Sequence, residues 1–328
     1  MSAQPARVIP LPHRPPHRPS LGAPLESFQL DEAGTIPASS NLFPTADASL
    51  SYALEKLERD APAEAARRLA GILRDEPKNA EALLALGSIQ HMHGDTVAAA
   101  ESYRRAAAAD PAGWQPLYNH ALMHETAGET AAAIALLHHA IALAPLEALP
   151  QIRLALLLES CGQQTAARVW WKRTVASDPS CTAAWLRLGH LELRFGHLPE
   201  ASVALQNALG GETEAADAAY HLAIAHIGMG AAQEASKALA EALRHDPDAA
   251  DAHAALAGLA LDSGDLDKAE RHERALRELE PTPAALSLRL AQSWALRGEL
   301  ELAHEHYKRA VQSDSSLALG YFALTLEY

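Results

Sequence analysis

Glycine stands at positions 94, 128, 162, 196, 230, 264 and 298, each 34 residues after the one before. Alanine keeps the same step at 65, 99, 133, 167, 201, 235, 269 and 303. Proline holds a third register at 77, 111, 145, 179, 247 and 281, with Thr213 and Ser315 in its two vacant places. Three residue types locked to one period define a repeat array, in which a single unit cannot bury its own apolar face and stacking on neighbours supplies the core. Composition points the same way. Alanine occurs 72 times against 16 aromatic residues, a helical bias poor in the residues that fill sheets.

The copy from Ala80 to Gly113 shows the logic of the unit. Leu83, Leu86, Gly87 and Gln90 follow the spacing of one helix face. Gly94 supplies the left-handed backbone that ends the helix. A second helix aligns Ala99, Tyr103 and Ala106, and stops at Asp110-Pro111 because the residue before proline is pushed out of helical geometry. Ala or Gly recurs at the eighth place of every copy, from Ala53 and Gly87 through Ala291. With Ala at the twentieth place, it lets the two helices approach closely.

The pattern resembles the tetratricopeptide repeat: large at places 4 and 7, small at 8, Gly at 15, Ala at 20, large at 24, Ala at 27 and Pro at 32. Leu83, Leu86, Gly87, Gly94, Ala99, Tyr103, Ala106 and Pro111 fill those places in one copy. Trp185, Leu188, Gly189, Gly196, Ala201, Leu205 and Ala208 fill seven of them in another. The resemblance implies an all-α fold, a right-handed α-α superhelix or solenoid. It would hold eight 34-residue hairpins over residues 46–317 and a further first helix at 318–328. Departures mark local expectations. Asp60 replaces the first turn glycine, Gly210-Gly211 shortens the second helix of the fifth copy, and Glu273 should loosen that of the seventh.

Residues 1–45 carry nine of the twenty prolines and balanced charge, and are expected to be a disordered tail. Its PxxP spacings, such as Pro12/Pro15, would suit an aromatic groove, but a passive solvated tail meets them as easily. The repeat body holds the whole net charge of −14, which disfavours nucleic acid and anionic membrane surfaces. No apolar run is long enough to span a bilayer, and prolines at this density oppose a targeting helix.

In the resembled family, first helices line a concave groove. Its fifth places here give the apolar row Leu84, Tyr118, Ile152, Leu186, Tyr220, Leu288 and Phe322. Its sixth places give Asn119, Arg153, Arg187, His221 and Arg289, with His190 and Arg194 close by. Two readings stay open. The row holds an extended or helical partner segment bearing acidic groups, with Tyr118, Ile152, Leu186 and Tyr220 as anchors. Alternatively, its arginines pair with acids of the groove itself, such as Glu125, Glu159 and Asp217.

The C-terminal helix offers Leu319, Tyr321, Phe322, Leu324, Leu326 and Tyr328, an apolar end suited to self-association or to docking on a partner. Hydrolase, phosphate-loop, dinucleotide and zinc-protease motifs do not occur, so neither catalysis nor a cofactor is expected. A metal is not expected either. The pair His120 and His124 lies on one helix face, but His120 occupies a core place. Cys161 and Cys181 fall at opposite ends of a hairpin, too far apart for a disulfide, and reduced thiols suit a cytoplasmic setting. The reading is a non-catalytic interaction scaffold or adaptor. Two alternatives are a regulatory or substrate-binding subunit of a separately encoded glycosyl-, sulfo- or methyltransferase, and a co-chaperone for secretion or pilus subunits.

Overall fold

A computed structural model describes residues 62–211, 213–279 and 283–317. The proline-rich tail, the first helix of the first copy with Asp60, and the apolar C-terminal helix with Leu319, Tyr321, Phe322, Leu324 and Tyr328 lie outside the described residues. The described helices fall into two compact units, dividing between Leu143 and Ala144.

The N-terminal unit contains α1 (Pro62–Asp75), α2 (Ala80–Met92), α3 (Thr96–Ala109), α4 (Gln115–Thr126) and α5 (Thr130–Leu143). The C-terminal unit contains α6 (Ala148–Ser160), α7 (Gln164–Ser177), α8 (Thr182–Arg194), α9 (Leu198–Ala208), α10 (Ala215–Gly228), α11 (Ala232–His245), α12 (Ala250–Asp262), α13 (Leu266–Leu279), α14 (Ala284–Arg297) and α15 (Leu300–Ser313). A single 3-10 turn, Ser315–Leu317, follows α15. The described chain contains helices and no strand.

Each described hairpin turn repeats one device. The seven period-34 glycines all have φ between 74° and 87°. At the first, the Gly94 N–H donates to His91 O at 2.9 Å and the Asp95 N–H to Gln90 O at 2.9 Å. This two-bond motif satisfies carbonyls that the helix end would leave unpaired. The same pair of bonds recurs at every later turn, down to Gly298 to Ala295 and Glu299 to Trp294. Second helices end on a different device. Asp110, Asp178, Asp246 and Asp314 stand just after them, and each accepts a backbone N–H two residues on, as Ala112 does to Asp110 Oδ1 at 3.1 Å.

Inside the hairpins the twentieth-place alanines are buried, from Ala65 to Ala303. The large residues at place 24 lie beside them: Leu69, Tyr103, Leu137, Trp171, Leu205, Leu239 and Tyr307. Where Gly stands at place 8, the facing side chain fills the space a Cβ would need. A Cβ on Gly87 would stand 2.6 Å from the Tyr103 ring, and one on Gly189 2.5 Å from Leu205 Cγ.

The shortened second helix of the fifth copy is present. α9 has 11 residues where the other second helices have 14, and α10 begins one residue ahead of the grid. The loosening expected at Glu273 is not. α13 is a regular 14-residue helix, and Glu273 is fully buried on it. Arg277 Nε and Arg309 Nη1 approach its carboxylate at 3.4 and 3.7 Å. The charge takes the place of a large apolar residue because two guanidinium groups bracket it.

Candidate functional site

Fifth-place residues are not one continuous exposed row. In the N-terminal unit Tyr118 is 0% exposed and packs edge-on against Trp114 at 5.9 Å. Asn119 is equally buried, donating to Ser88 Oγ at 3.3 Å. In the C-terminal unit Ile152 is 2% exposed and Arg153 half-buried. Tyr118, Asn119 and Ile152 are therefore corrected from groove anchors to helix-packing residues. Their side chains are spent on neighbours within the stack and offer no surface to a ligand.

Later copies differ. Leu186 on α8, Tyr220 on α10, Ala254 on α12 and Leu288 on α14 are each only half-buried, at an unbroken 34-residue spacing. Low side chains flank Ala254. Ala255 follows it, and a Cβ on Gly258 would meet only Arg289 Nη1, at 3.8 Å. Burial, followed by the charges of Asp251 and Asp217, pushes the Tyr220 hydroxyl up to about 12, so it remains a hydrogen-bond donor at neutral pH.

The basic groups around this row already have partners. Arg187 Nη1 lies 3.7 Å from Glu159 Oε2, and Arg289 Nη2 lies 2.5 Å from Asp262 Oδ1. With its amide oxygen turned to Arg194, Gln164 accepts from that guanidinium at 2.5 and 3.0 Å. Glu159 in turn accepts from the Trp171 indole N–H, and burial raises its carboxyl above the usual range despite that bond and the charges of Arg187 and Arg194. The pairing of groove arginines with groove acids is thus present for Arg187 and Arg289.

His190, Asp217 and His221 come together between α8 and α10. His190 Nε2 is 3.4 Å from Asp217 Oδ2, His221 Nδ1 is 2.7 Å from Asp217 Oδ1, and the imidazole centroids are 4.1 Å apart. Burial and the neighbouring His221 charge lower His190 to about 4, against the pull of Asp217. Burial opposes the charge on His221 as well, but the Asp217 hydrogen bond and charge outweigh it and raise that imidazole. Asp217 itself is lowered, because His221 overcomes its burial. The trio was not evident from histidine pairs within one helix. Its signal is an offset of 27 and 31 residues, which brings the ninth place of one copy beside the second and sixth of the next. The same 31-residue step joins Ser88 to Asn119, and the 27-residue step joins Asp262 to Arg289.

The sequence pair His120 and His124 has its rings 4.7 Å apart, and His124 meets Glu129 Oε2 at 2.5 Å. Burial, then the His124 charge, lowers His120. Cys161 is exposed and Cys181 buried, and both are free thiols. Among the described residues no helix is long and apolar enough to cross a membrane.

Comparison with known proteins agrees with the geometry. The tetratricopeptide repeat family matches residues 51–113 and, in a second description, residues 192–259 and 228–289. The solved structure of YrrB, a TPR protein with an unusual peptide-binding site, covers 58% of this chain and 97% of its own at 22% identity and a TM-score of 0.51. MamA aligns over 52% of this chain and 98% of its own at 26% identity and a TM-score of 0.44. PilF of Pseudomonas aeruginosa aligns over 67% and 99% at 16% identity and a TM-score of 0.48. No curated protein sequence matches significantly. From its repeat grid, its hairpin turns and the family matches at residues 51–113 and 192–289, the chain belongs to the tetratricopeptide-repeat family.

Proposed function

We propose that this protein is a non-catalytic interaction scaffold that binds a segment of a partner protein along the first-helix face of its C-terminal unit. The observation that carries this reading is the row Leu186, Tyr220, Ala254 and Leu288, half-buried side chains on four successive first helices. Such a row offers a segment apolar contacts at a fixed interval, with low ground at Ala254, Ala255 and Gly258 where a bulky partner side chain fits. Tyr220 adds a hydroxyl donor and an aromatic surface, the kind of residue that dominates binding at interfaces.

Acidic groups on the partner suit the flanks. The pairs Arg187–Glu159 and Arg289–Asp262 are both partly solvent-exposed. Exposed ion pairs contribute only about 0–1 kcal/mol, so a partner carboxylate can exchange into them at little cost. Binding by Arg187 and Arg289, with His190, Arg194 and His221 between them, therefore needs no empty basic groove. The burial of Tyr118 and Ile152, against the partial exposure of Leu186 and Tyr220, supports placing the anchors in the later copies.

The test is affinity purification from native lysate with mass spectrometry, comparing wild type with Tyr220→Ala/Leu288→Ala and with Arg187→Glu. The double alanine variant should lose a defined subset of partners, and Arg187→Glu should weaken the same subset. Recovery of every partner unchanged by both variants, with circular dichroism showing intact helices, refutes this face as the binding surface.

A further inference from the structure

We infer that His190, Asp217 and His221 form a binding site for a divalent transition-metal ion, with zinc as the reference ion. Two imidazoles and one carboxylate are a donor set that zinc, cobalt and nickel prefer over magnesium or calcium, which take oxygen ligands. The donor atoms of all three residues lie within 4.8 Å of one another. A tetrahedral shell with bonds of about 2.0–2.1 Å sets its donors about 3.3 Å apart. The 3.4 Å between His190 Nε2 and Asp217 Oδ2 already meets that spacing. His221 Nδ1 lies 2.7 Å from the other carboxylate oxygen, Oδ1, so the carboxylate would take a shared ion through both oxygens or turn to present one.

The helices prepare the set before any ion arrives. Asp217 and His221 are one turn apart on α10 and so share a face, while His190 reaches in from α8. The Nε2 of His190 is buried and makes no hydrogen bond. Leaving such an atom unsatisfied is costly, and coordination would satisfy it. Without an ion, His221 Nδ1 lies 2.9 Å from the Asp217 carbonyl oxygen, and coordination through Nδ1 replaces that hydrogen bond. Arg187, whose charge acts on His190 and Asp217, lies 3.7 Å from Glu159 Oε2. Three protein ligands leave at least one coordination place for water. The imidazole pairs His120–His124 and His253–His272 are also close, but among the described residues neither brings a third donor within 4.8 Å.

The experiment uses the full chain without a histidine tag. Equilibrium dialysis against zinc chloride should show one tightly held ion per chain, and cobalt(II) should give the visible bands of a tetrahedral site. His190→Asn, Asp217→Asn and His221→Asn should each weaken that ion at least about tenfold, in line with the effect of disturbing ligand shells. His253→Asn/His272→Asn should leave it in place. Zinc should also slow hydrogen exchange in α8 and α10 of the wild type more than in any other helix, a readout that needs no variant to fold. Absence of a bound ion at micromolar zinc overturns the proposal. So does binding that survives all three substitutions, or protection that falls outside α8 and α10.

Discussion

Gly189 and Gly258 stand inside helices of the same unit, yet replacing each with alanine should move stability in opposite directions. Removing a mid-helix glycine gains about 0.5–1 kcal/mol from reduced backbone freedom. At Gly258 nothing opposes that gain, since the nearest atom to a new Cβ is Arg289 Nη1 at 3.8 Å. At Gly189 the new Cβ would stand 2.5 Å from Leu205 Cγ, 2.7 Å from Cδ2 and 3.4 Å from the Leu205 backbone nitrogen. Leu205 is 0% exposed, so its side chain cannot swing out of the way. Overpacking a filled core costs about 1–3 kcal/mol, so Gly189→Ala should be net destabilising by about 1 kcal/mol. Gly258→Ala should be stabilising by about 0.5–1 kcal/mol. Urea titrations followed by circular dichroism would place the Gly258→Ala midpoint above wild type and the Gly189→Ala midpoint below it. In a Leu205→Ala background the clash is gone, and Gly189→Ala should turn stabilising. A Gly189→Ala midpoint at or above wild type would refute the claim that place 8 is glycine because of close helix approach.

Two other outcomes follow from buried charge. His306 is 1% exposed, and burial, then the charges of Arg309 and Arg277, lowers it to about 4. The unfolded chain binds a proton near pH 6.5 and the folded one does not. The stabilisation is therefore full above pH 6.5 and is lost as pH falls toward 4, by about 2 kcal/mol at pH 5. Urea midpoints at pH 7 and 5 should differ less for His306→Gln than for wild type, and equal differences would contradict this. Glu192, 1% exposed on α8, meets Lys172 Nζ at 2.7 Å, His197 Nδ1 at 2.6 Å and Arg168 Nη1 at 3.4 Å. Removing the acid strands cations that are themselves partly hydrated, so Glu192→Ala should cost about 2 kcal/mol. Adding Lys172→Ala should cost little more, and full additivity of the two losses would show that the pair is not coupled.

The repeat frame was readable because each of its parts is local. A turn glycine, a contact alanine and an Asp-Pro stop act within a few residues, so a 34-residue grid displays them directly. The face of the stack was harder to read. Leu84, Tyr118, Leu186 and Tyr220 occupy the same place in four copies, yet the first two are buried and the last two half-buried. Place number does not report how tightly consecutive first helices close. Glu273 breaks the pattern in sequence but not in structure, because one of its two guanidinium partners, Arg309, arrives from α15. The trio of His190, Asp217 and His221 was hidden for the same reason. Its members belong to different copies, and only the 27- and 31-residue offsets reveal them as neighbours.

The uniform turn has a consequence for how such a chain can change. Each of the seven described hairpin turns carries its own left-handed glycine and its own two backbone bonds, so residues of a single copy close it. Insertion or loss of 34 codons, starting at any point in the array, regenerates a complete turn at the junction. A single added residue within a helix rotates everything after it by about 100° about the helix axis, which turns contact alanines toward solvent. Copy number is thus a variable this architecture can alter in whole steps, whereas length within a copy is close to fixed.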